Sequence, residues 1–400
     1  MISWPSSTPS SEVASQNKAL LPMEPVRLTV LASSLTVGGA EQLLLELLRN
    51  LSPERFQTNI VFLRDPGPLG KEVRALGYPV DSGLLHSTID LLGFPRLVRS
   101  FRRRRTDVLL LINHRNALFF GVPAAKLAGV KVIVNWENET YKRYSHHALT
   151  MFGRRFVHLG VDRIVAAANG HKDYIARIEG LPRRKISVIY NGVNPDRFRS
   201  GLSSKEAKRR LGINADAPVV SIVAALRPDK AHAVFLRAAR MILDRLPDTH
   251  FLVVGDGPER HKLAQISREL QVEPRVHFLG IQRQLGDILA AVDVNTLSSN
   301  PEQETLSVAA IEAMSAGVPI VCTDVGFMRE IVLPGVTGAL TRVGDAADLA
   351  AKVLSLLVDE SERSRLGRNA SARVEKRLTS RVMTRAFETL FLDSLAHKTA

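Results

Sequence analysis

Four hundred residues exceed what one hydrophobic core usually organises, so two domains of roughly 150–200 residues are expected. A hydrophobic fraction of 45% and a charged fraction of 24% exclude a disordered or fibrous chain, and no apolar run approaches the roughly 20 residues of a membrane span. With 54 Lys and Arg against 40 Asp and Glu, the formal charge is +14, which favours an anionic partner such as phospholipid, nucleic acid or a phosphorylated substrate.

The single cysteine, Cys322, rules out an intrachain disulfide and a cysteine-built zinc site; its apolar neighbours make it a core residue. This usage fits a reducing compartment, and the first residues lack the basic-then-apolar order of a secretion signal, so a cytoplasmic location is expected.

Residues 1–25 are Ser- and Pro-rich without apolar periodicity and are expected to form a flexible tail. Strand-length apolar runs then alternate with amphipathic stretches: Leu28 to Ala32, Ala40 to Leu51, Asn59 to Leu63, Gly70 to Leu76. Further runs at Val108 to Ile112, Lys131 to Val134, Arg163 to Ala167 and Ile186 to Tyr190 close a first domain over 26–198. The rhythm restarts at Val219 to Ala224 and continues through Phe251 to Val254, Val276 to Leu279 and Ile320 to Thr323, giving a second domain over 199–380. Helices are predicted over Ala346 to Leu357, Ser361 to Val374 and Arg381 to Leu395, the last within a terminal segment 381–400. This alternation predicts an α/β chain with two doubly wound parallel sheets, whose ligands bind outside the carboxyl ends of the strands. The chemistry is therefore sought in strand-to-helix loops.

The first such loop holds Gly38 and Gly39 just before a helix, where backbone amides can approach a phosphate; a plain structural turn is the alternative. It lacks Gly-x-Gly-x-x-Gly, so a dehydrogenase cofactor loop is not supported. The most informative stretch is Glu304-Thr305-Leu306-Ser307-Val308-Ala309-Ala310-Ile311-Glu312. With a helix starting near Leu306, the two carboxylates stand about 12 Å apart, comparable with an extended nucleotide sugar. One can hold sugar hydroxyls and the other the ribose diol, while the free amides of the helix start receive a diphosphate. The plain alternative, a solvent-facing Glu312, is disfavoured by its apolar neighbours Ile311, Ala313 and Met314.

This stretch resembles the Glu-x7-Glu motif of the family 4 retaining glycosyltransferases, which have the GT-B fold. Tyr190-Asn191-Gly192-Val193-Asn194, Val254-Gly255-Asp256-Gly257-Pro258-Glu259-Arg260, Thr323-Asp324-Val325-Gly326 with Arg329-Glu330, and Gly38-Gly39-Ala40-Glu41 resemble further family segments in the right order. The resemblance implies a GT-B arrangement, two Rossmann-like domains facing across a cleft with the C-terminal helix crossing back to the first. It implies retaining transfer of a sugar from a UDP- or GDP-linked donor to an acceptor sugar or lipid-linked sugar, with no cofactor besides that donor. Its donor site would comprise Gly38, Gly39, Arg227, Lys230, Gly255, Glu304, Thr305, Leu306, Ser307 and Glu312.

Two departures stand out. The family's Gly-Arg-Leu-x-x-x-Lys-Gly reads here Ala224-Ala225-Leu226-Arg227-Pro228-Asp229-Lys230-Ala231, so Lys230 is retained but Ala225 takes the place of the Arg. Arg227 either supplies that charge from a shifted position or is a surface residue. No Asp-x-Asp pair occurs, so charge on the leaving diphosphate is expected to be met by Lys230, Arg227 and helix amides, with no metal. On the acceptor side many relatives carry a His where this chain reads Asn135-Trp136-Glu137-Asn138; Glu137 or His114 is the candidate there, each with an ordinary loop role as the alternative.

Two basic clusters mix cations with apolar residues. Arg96, Arg99 and Arg102 to Arg105 lie among Leu91, Leu92, Phe94, Leu97, Val98 and Phe101; Lys142, Arg143, Arg154 and Arg155 lie among Tyr141, Tyr144, Met151, Phe152 and Phe156. The mixture suits docking on an anionic membrane surface, against a solvated helix face as the bland reading. No nucleic-acid module accompanies the charge. Two other classes stay open: a nucleotide-sugar epimerase or glycosyl phosphorylase of the same fold, and a non-catalytic nucleotide-sugar-binding relative.

Overall fold

The computed structural model describes residues 24–399 apart from 35–37, 68–69, 86–89, 91–92, 113–114, 139, 141–147 and 302–303. The expected tail, but for residues 24 and 25, lies outside them, as do His114 and the Tyr141–Tyr144 part of the second basic cluster.

The first domain runs β1 (Val26–Ala32), α1 (Gly39–Asn50), β2 (Phe56–Phe62), α2 (Gly70–Ala75), β3 (Val80–Asp81), α3 (Gly93–Arg103), β4 (Val108–Ile112) and α4 (Arg115–Ala128). It continues through β5 (Val132–Glu137), α5 (Ala148–His158), β6 (Arg163–Ala166), α6 (Asn169–Arg177) and β7 (Ile186–Val188). The second holds α7 (Ser204–Arg210), β8 (Val219–Val223), α8 (His232–Leu243), β9 (His250–Val254), α9 (Arg260–Glu269), β10 (Val276–Gly280) and α10 (Gly286–Ala290). Then follow β11 (Val294–Leu297), α11 (Val308–Ser315), β12 (Ile320–Thr323), β13 (Gly338–Thr341), α12 (Ala346–Val358), α13 (Glu360–Arg377) and α14 (Ser380–Thr399).

The sheets run in the orders β3-β2-β1-β4-β5-β6-β7 and β10-β9-β8-β11-β12-β13, with every described pairing parallel. Both are covered on two faces, which is why β4, Val-Leu-Leu-Leu-Ile, is buried at every position rather than alternating. Chain order reverses direction between β1 and β4 and again between β8 and β11. At such switch points the flanking loops diverge and leave a crevice at the strand ends.

The last helix crosses back as expected. Met383, Phe387 and Phe391 of α14 are buried in the first domain's core, Phe387 meeting Trp136 edge-on at 4.6 Å. Glu388 accepts from Ser52 N at 2.9 Å and pairs with Arg55 at 3.1 Å. The chain recrosses at a bridge between Val193 and Thr379, so linker and final helix run side by side.

Three strands escape the apolar-run reading, the first being the two-residue β3, Val-Asp. β11 contains Asn295 and Thr296, both fully buried; Ser221 Oγ donates to Asn295 Oδ1 (2.7 Å) and Thr296 Oγ1 donates to Ser221 O (2.9 Å). β13 is the four-residue edge strand Gly-Ala-Leu-Thr. One expectation is corrected: Leu97, Val98 and Phe101 of α3 are core residues, because helical spacing turns them onto the sheet and leaves the arginines outside.

Candidate active site

The loop after β8 carries Lys230 and the loop after β11 carries Glu304, on opposite sides of the second domain's switch point. Lys230 Nζ donates to Glu304 Oε2 at 2.7 Å, with side chains 16% and 8% exposed. Ser299 Oγ donates to the same oxygen at 2.9 Å. The two loops are also sewn together along their backbones: Ser298 Oγ donates to Lys230 O and Ala231 O, and Asn300 N donates to Asp229 O. The cation and carboxylate are thus fixed by the scaffold that joins them.

Past Glu304, Thr305 and Leu306 are buried, and Ser307 caps α11 by accepting from Ala310 N at 3.3 Å. Thr305 Oγ1 is buried without a hydrogen-bond partner among the described residues. The start of α11 meets the start of α1: a Cβ added to Gly39 would lie 3.3 Å from Val308 Cγ2. Two helix N-termini, one from each domain, therefore converge beside Lys230 and Glu304. First-turn amides lack intrahelical acceptors and carry partial positive charge, so this point favours an anion.

Glu312 lies on the same face of α11 as Val308, one turn further on, and faces Arg197 of the linker and Glu46 of α1. Burial pushes its carboxyl up to about 7, against the pull of Arg197 and with a further push from Glu46. Glu46 is itself held by Arg197 and Arg49, each at 2.9 Å. Glu312 therefore stands where linker, first domain and second domain meet.

The remaining expected residues fall out as follows. Gly255, at φ +134°, lets the β9 loop lie on the β8 loop; a Cβ there would be 2.1 Å from Ala224 O, so only glycine fits. Gly38 precedes α1 in extended backbone. Arg227 is half exposed and pairs with Asp229 at 3.2 Å, beside the Lys230–Glu304 pair rather than within it. Glu137 is corrected as an open acceptor-side group: it is 1% exposed, accepting from Asn135 Nδ2 at 2.5 Å and Arg154 at 2.9 Å. Burial opposes its charge, but Arg154 and then His158 outweigh that and hold the carboxyl well below the usual carboxylate range. Arg154 also reaches Glu179 at 2.6 Å, so this arginine belongs to a buried ion-pair network and not to a docking face.

Sequence reading missed two neighbours of Lys230. Ala231 adopts a left-handed conformation (φ +47°), the position where the family motif has glycine. His232 is 1% exposed with both ring nitrogens unpartnered among the described residues, and burial, then Lys230, depress its pKa to about 4, keeping it neutral. The αL requirement was readable in the motif's glycine; nothing in the sequence marked His232.

Two switch-point crevices facing one another, a lysine–carboxylate pair and paired helix N-termini define a GT-B enzyme of the nucleotide-sugar-binding kind. The family model described as "Glycosyltransferase Family 4" matches residues 37–197 and that described as "Glycosyl transferases group 1" matches residues 203–373. The chain belongs to this group 1, family 4 glycosyltransferase family, whose members retain anomeric configuration. It is 31% identical over 214 residues to N-acetyl-alpha-D-glucosaminyl L-malate synthase of Bacillus anthracis, covering 54% of this chain and 55% of that protein. It is 26% identical to UDP-Gal:alpha-D-GlcNAc-diphosphoundecaprenol alpha-1,3-galactosyltransferase of Escherichia coli, covering 77% and 82%. With D-inositol 3-phosphate glycosyltransferases the match spans about half of each relative's length. Among solved structures, Anabaena HepE in complex with UDP and glucose superposes with a TM-score of 0.80 at 23% identity, covering 91% of this chain and 99% of that one, a likeness of fold.

Proposed function

We propose that the protein transfers a sugar, with retention of configuration, from a UDP- or GDP-linked donor to a hydroxyl of an acceptor sugar or lipid-linked sugar. The observation that carries this is the Lys230–Glu304 pair set beside the converging starts of α1 and α11. The bond from the anomeric carbon to the diphosphate breaks, the acceptor oxygen bonds to that carbon on the same face, and nucleoside diphosphate and a proton are released. Negative charge gathers on the diphosphate as the sugar becomes oxocarbenium-like, so Lys230 and the helix amides act most strongly on the transition state. Glu304 orients sugar hydroxyls, Glu312 holds the ribose diol, and Arg227 lies near enough in sequence to swing toward the phosphates. The E. coli relative's name specifies a diphosphoundecaprenol-linked acceptor, which supports a lipid-linked substrate here.

A panel of nucleotide sugars incubated with the protein, with and without membrane extract, tests the reaction. Transfer that Lys230→Ala and Glu304→Gln each lower by about 100-fold or more, with the melting temperature kept, supports it. Conversion of the donor without an acceptor would point to an epimerase, and dependence on inorganic phosphate to a phosphorylase. Failure of every UDP and GDP compound to raise the melting temperature would sink the donor assignment.

A cytoplasmic site of action on an anionic membrane face is part of this proposal. No helix among the described residues is long and apolar enough to cross a bilayer. On α5, Phe152 and Phe156 are 68% and 66% exposed, and Leu159 just beyond is 69% exposed; at this spacing they share one face. Lys185 binds the carbonyls at that helix end and Lys126 stands beside Gly160, so cations border the stripe. Each cation near an anionic surface adds on the order of 1 kcal/mol, and the aromatic rings add burial. Flotation with phosphatidylglycerol vesicles but not phosphatidylcholine, lost on joint Phe152→Ser and Phe156→Ser substitution, is expected; equal flotation of that variant contradicts the docking face.

A further inference from the structure

We infer that Glu330 is a positioning residue for transfer: it ties the first domain to the loop that carries Glu304, so that closure of the two domains sets the donor carboxylate. This rests on the function proposed above. Glu330 ends a short 3-10 turn, Met328–Glu330, in the second domain, yet its carboxylate is bonded wholly by groups that precede that domain. Oε1 accepts from Gly170 N at 2.7 Å; Oε2 accepts from Asn169 N at 2.9 Å, Asn169 Nδ2 at 3.3 Å and Tyr190 Oη at 2.6 Å. Asn169 and Gly170 open α6, so the carboxylate caps the positive end of a first-domain helix from across the domain boundary. Asn169 Nδ2 also donates to Tyr190 Oη at 2.7 Å, which closes the cluster on itself.

The turn is packed as well as hydrogen-bonded. Phe327 stacks on His171 with centroids 5.5 Å apart, and a Cβ on Gly170 would lie 2.4 Å from Phe327 Cδ1. From this contact the chain runs straight to the donor loop: Phe327 N donates to Thr305 O at 2.9 Å. Gly326, at φ +55°, passes so close that a Cβ would meet Glu304 O at 2.0 Å. Arg373 holds the Glu330 carbonyl at 2.5 Å, fixing the turn from behind. The linker grips the same loop independently, Asn191 Nδ2 donating to Leu306 O at 3.1 Å. A rigid strut of five residues, 326–330, therefore joins the start of α6 to the backbone of Glu304 and Thr305, and through Glu304 to Lys230. Opening the domains pulls on Glu330 and releases the donor loop; closing them seats both.

The test uses the full chain with Glu330→Gln and, separately, Tyr190→Phe. Four readouts are taken: kcat and KM with the donor active in the panel above, UDP affinity, melting temperature, and radius of gyration by small-angle scattering with UDP present. For Glu330→Gln the expected result is a fall in kcat of about 10- to 100-fold, the worth of a lost charged hydrogen bond, with UDP affinity within about threefold and a larger radius of gyration. Tyr190→Phe loses one neutral donor and is expected to lower kcat about fivefold; it decides the matter should Glu330→Gln not fold. Unchanged kcat and radius would overturn the inference, and so would losses of kcat, UDP affinity and melting temperature in step, which mark a merely structural residue. If the native chain transfers no sugar, the proposed function fails, while the scattering comparison still decides whether Glu330 controls closure.

Discussion

Lys230 and Glu304 are 74 positions apart in the chain and 2.7 Å apart in the fold, an ion pair in a nearly enclosed place. Among the described residues Glu312 has no such partner at bonding distance, and its carboxyl is pushed up to about 7. A raised carboxyl contributes stability that is fully present below its ordinary value and lost as pH rises through 7, the reverse of a salt-bridged glutamate. With Glu312 in its proposed role, nucleotide binding has the opposite slope, because the ionised form is the better acceptor for two ribose hydroxyls. UDP affinity is expected to rise about tenfold per unit as pH approaches 7 from below and then level off. Titration calorimetry across this range checks it, and Glu312→Gln should flatten the curve; an unchanged curve in that variant removes Glu312 from the ribose. Ala231 offers a test of backbone conformation beside Lys230. A left-handed alanine costs roughly 1–2 kcal/mol, partly offset in glycine by a freer unfolded chain, so Ala231→Gly is expected to stabilise by about 1 kcal/mol, seen as a higher melting temperature. Glu312 stood out in the sequence because a charge set in an apolar stretch is costly to bury unless it binds something, and Glu304 by its spacing from it, whereas Lys230 was reached only through its match to the family's Gly-Arg-Leu-x-x-x-Lys-Gly segment. Glu137 misled because the end of a parallel strand usually faces the cleft, whereas here Arg154 turns the side chain inward. Glu330 was legible as a motif residue but not as a strut, since its partners at 169, 170 and 190 are distant in sequence.

Among elements, α11 and α14 decide most. The short α11 owes its start to Ser307 and its placement to Ile311 and Met314, which are fully buried. The long α14 seats the end of the chain in the first domain's core. Phe387→Ala, emptying a site against Trp136 and Phe391, is expected to destabilise by about 3–5 kcal/mol, measured by denaturant unfolding. A change below about 1 kcal/mol would mean that the helix does not share the first domain's core. Most strands were readable as apolar runs, since both faces of a parallel sheet are buried. β11 was not, because its buried Asn295 and Thr296 are paired only by a neighbouring strand, and β13 was too short and too small-chained to stand out. Basic α3 looked apolar and exposed because its sequence mixes both kinds, and only helical geometry separates them.

The molecule as a whole places its two switch-point crevices against each other and bridges them by linker, strut and final helix. Its excess of 14 positive charges is compatible with an anionic donor and an anionic surface at once, which is why composition alone could not choose between them. Architecture was legible from rhythm; the approach of α1 to α11 was not, since it depends on how two domains meet. A crystal structure of the protein with UDP decides the matter. Diphosphate density between the first turns of α1 and α11, within about 3 Å of Lys230 Nζ and with the ribose on Glu312, is the expected outcome. Diphosphate bound elsewhere, or remote from Lys230, would contradict it.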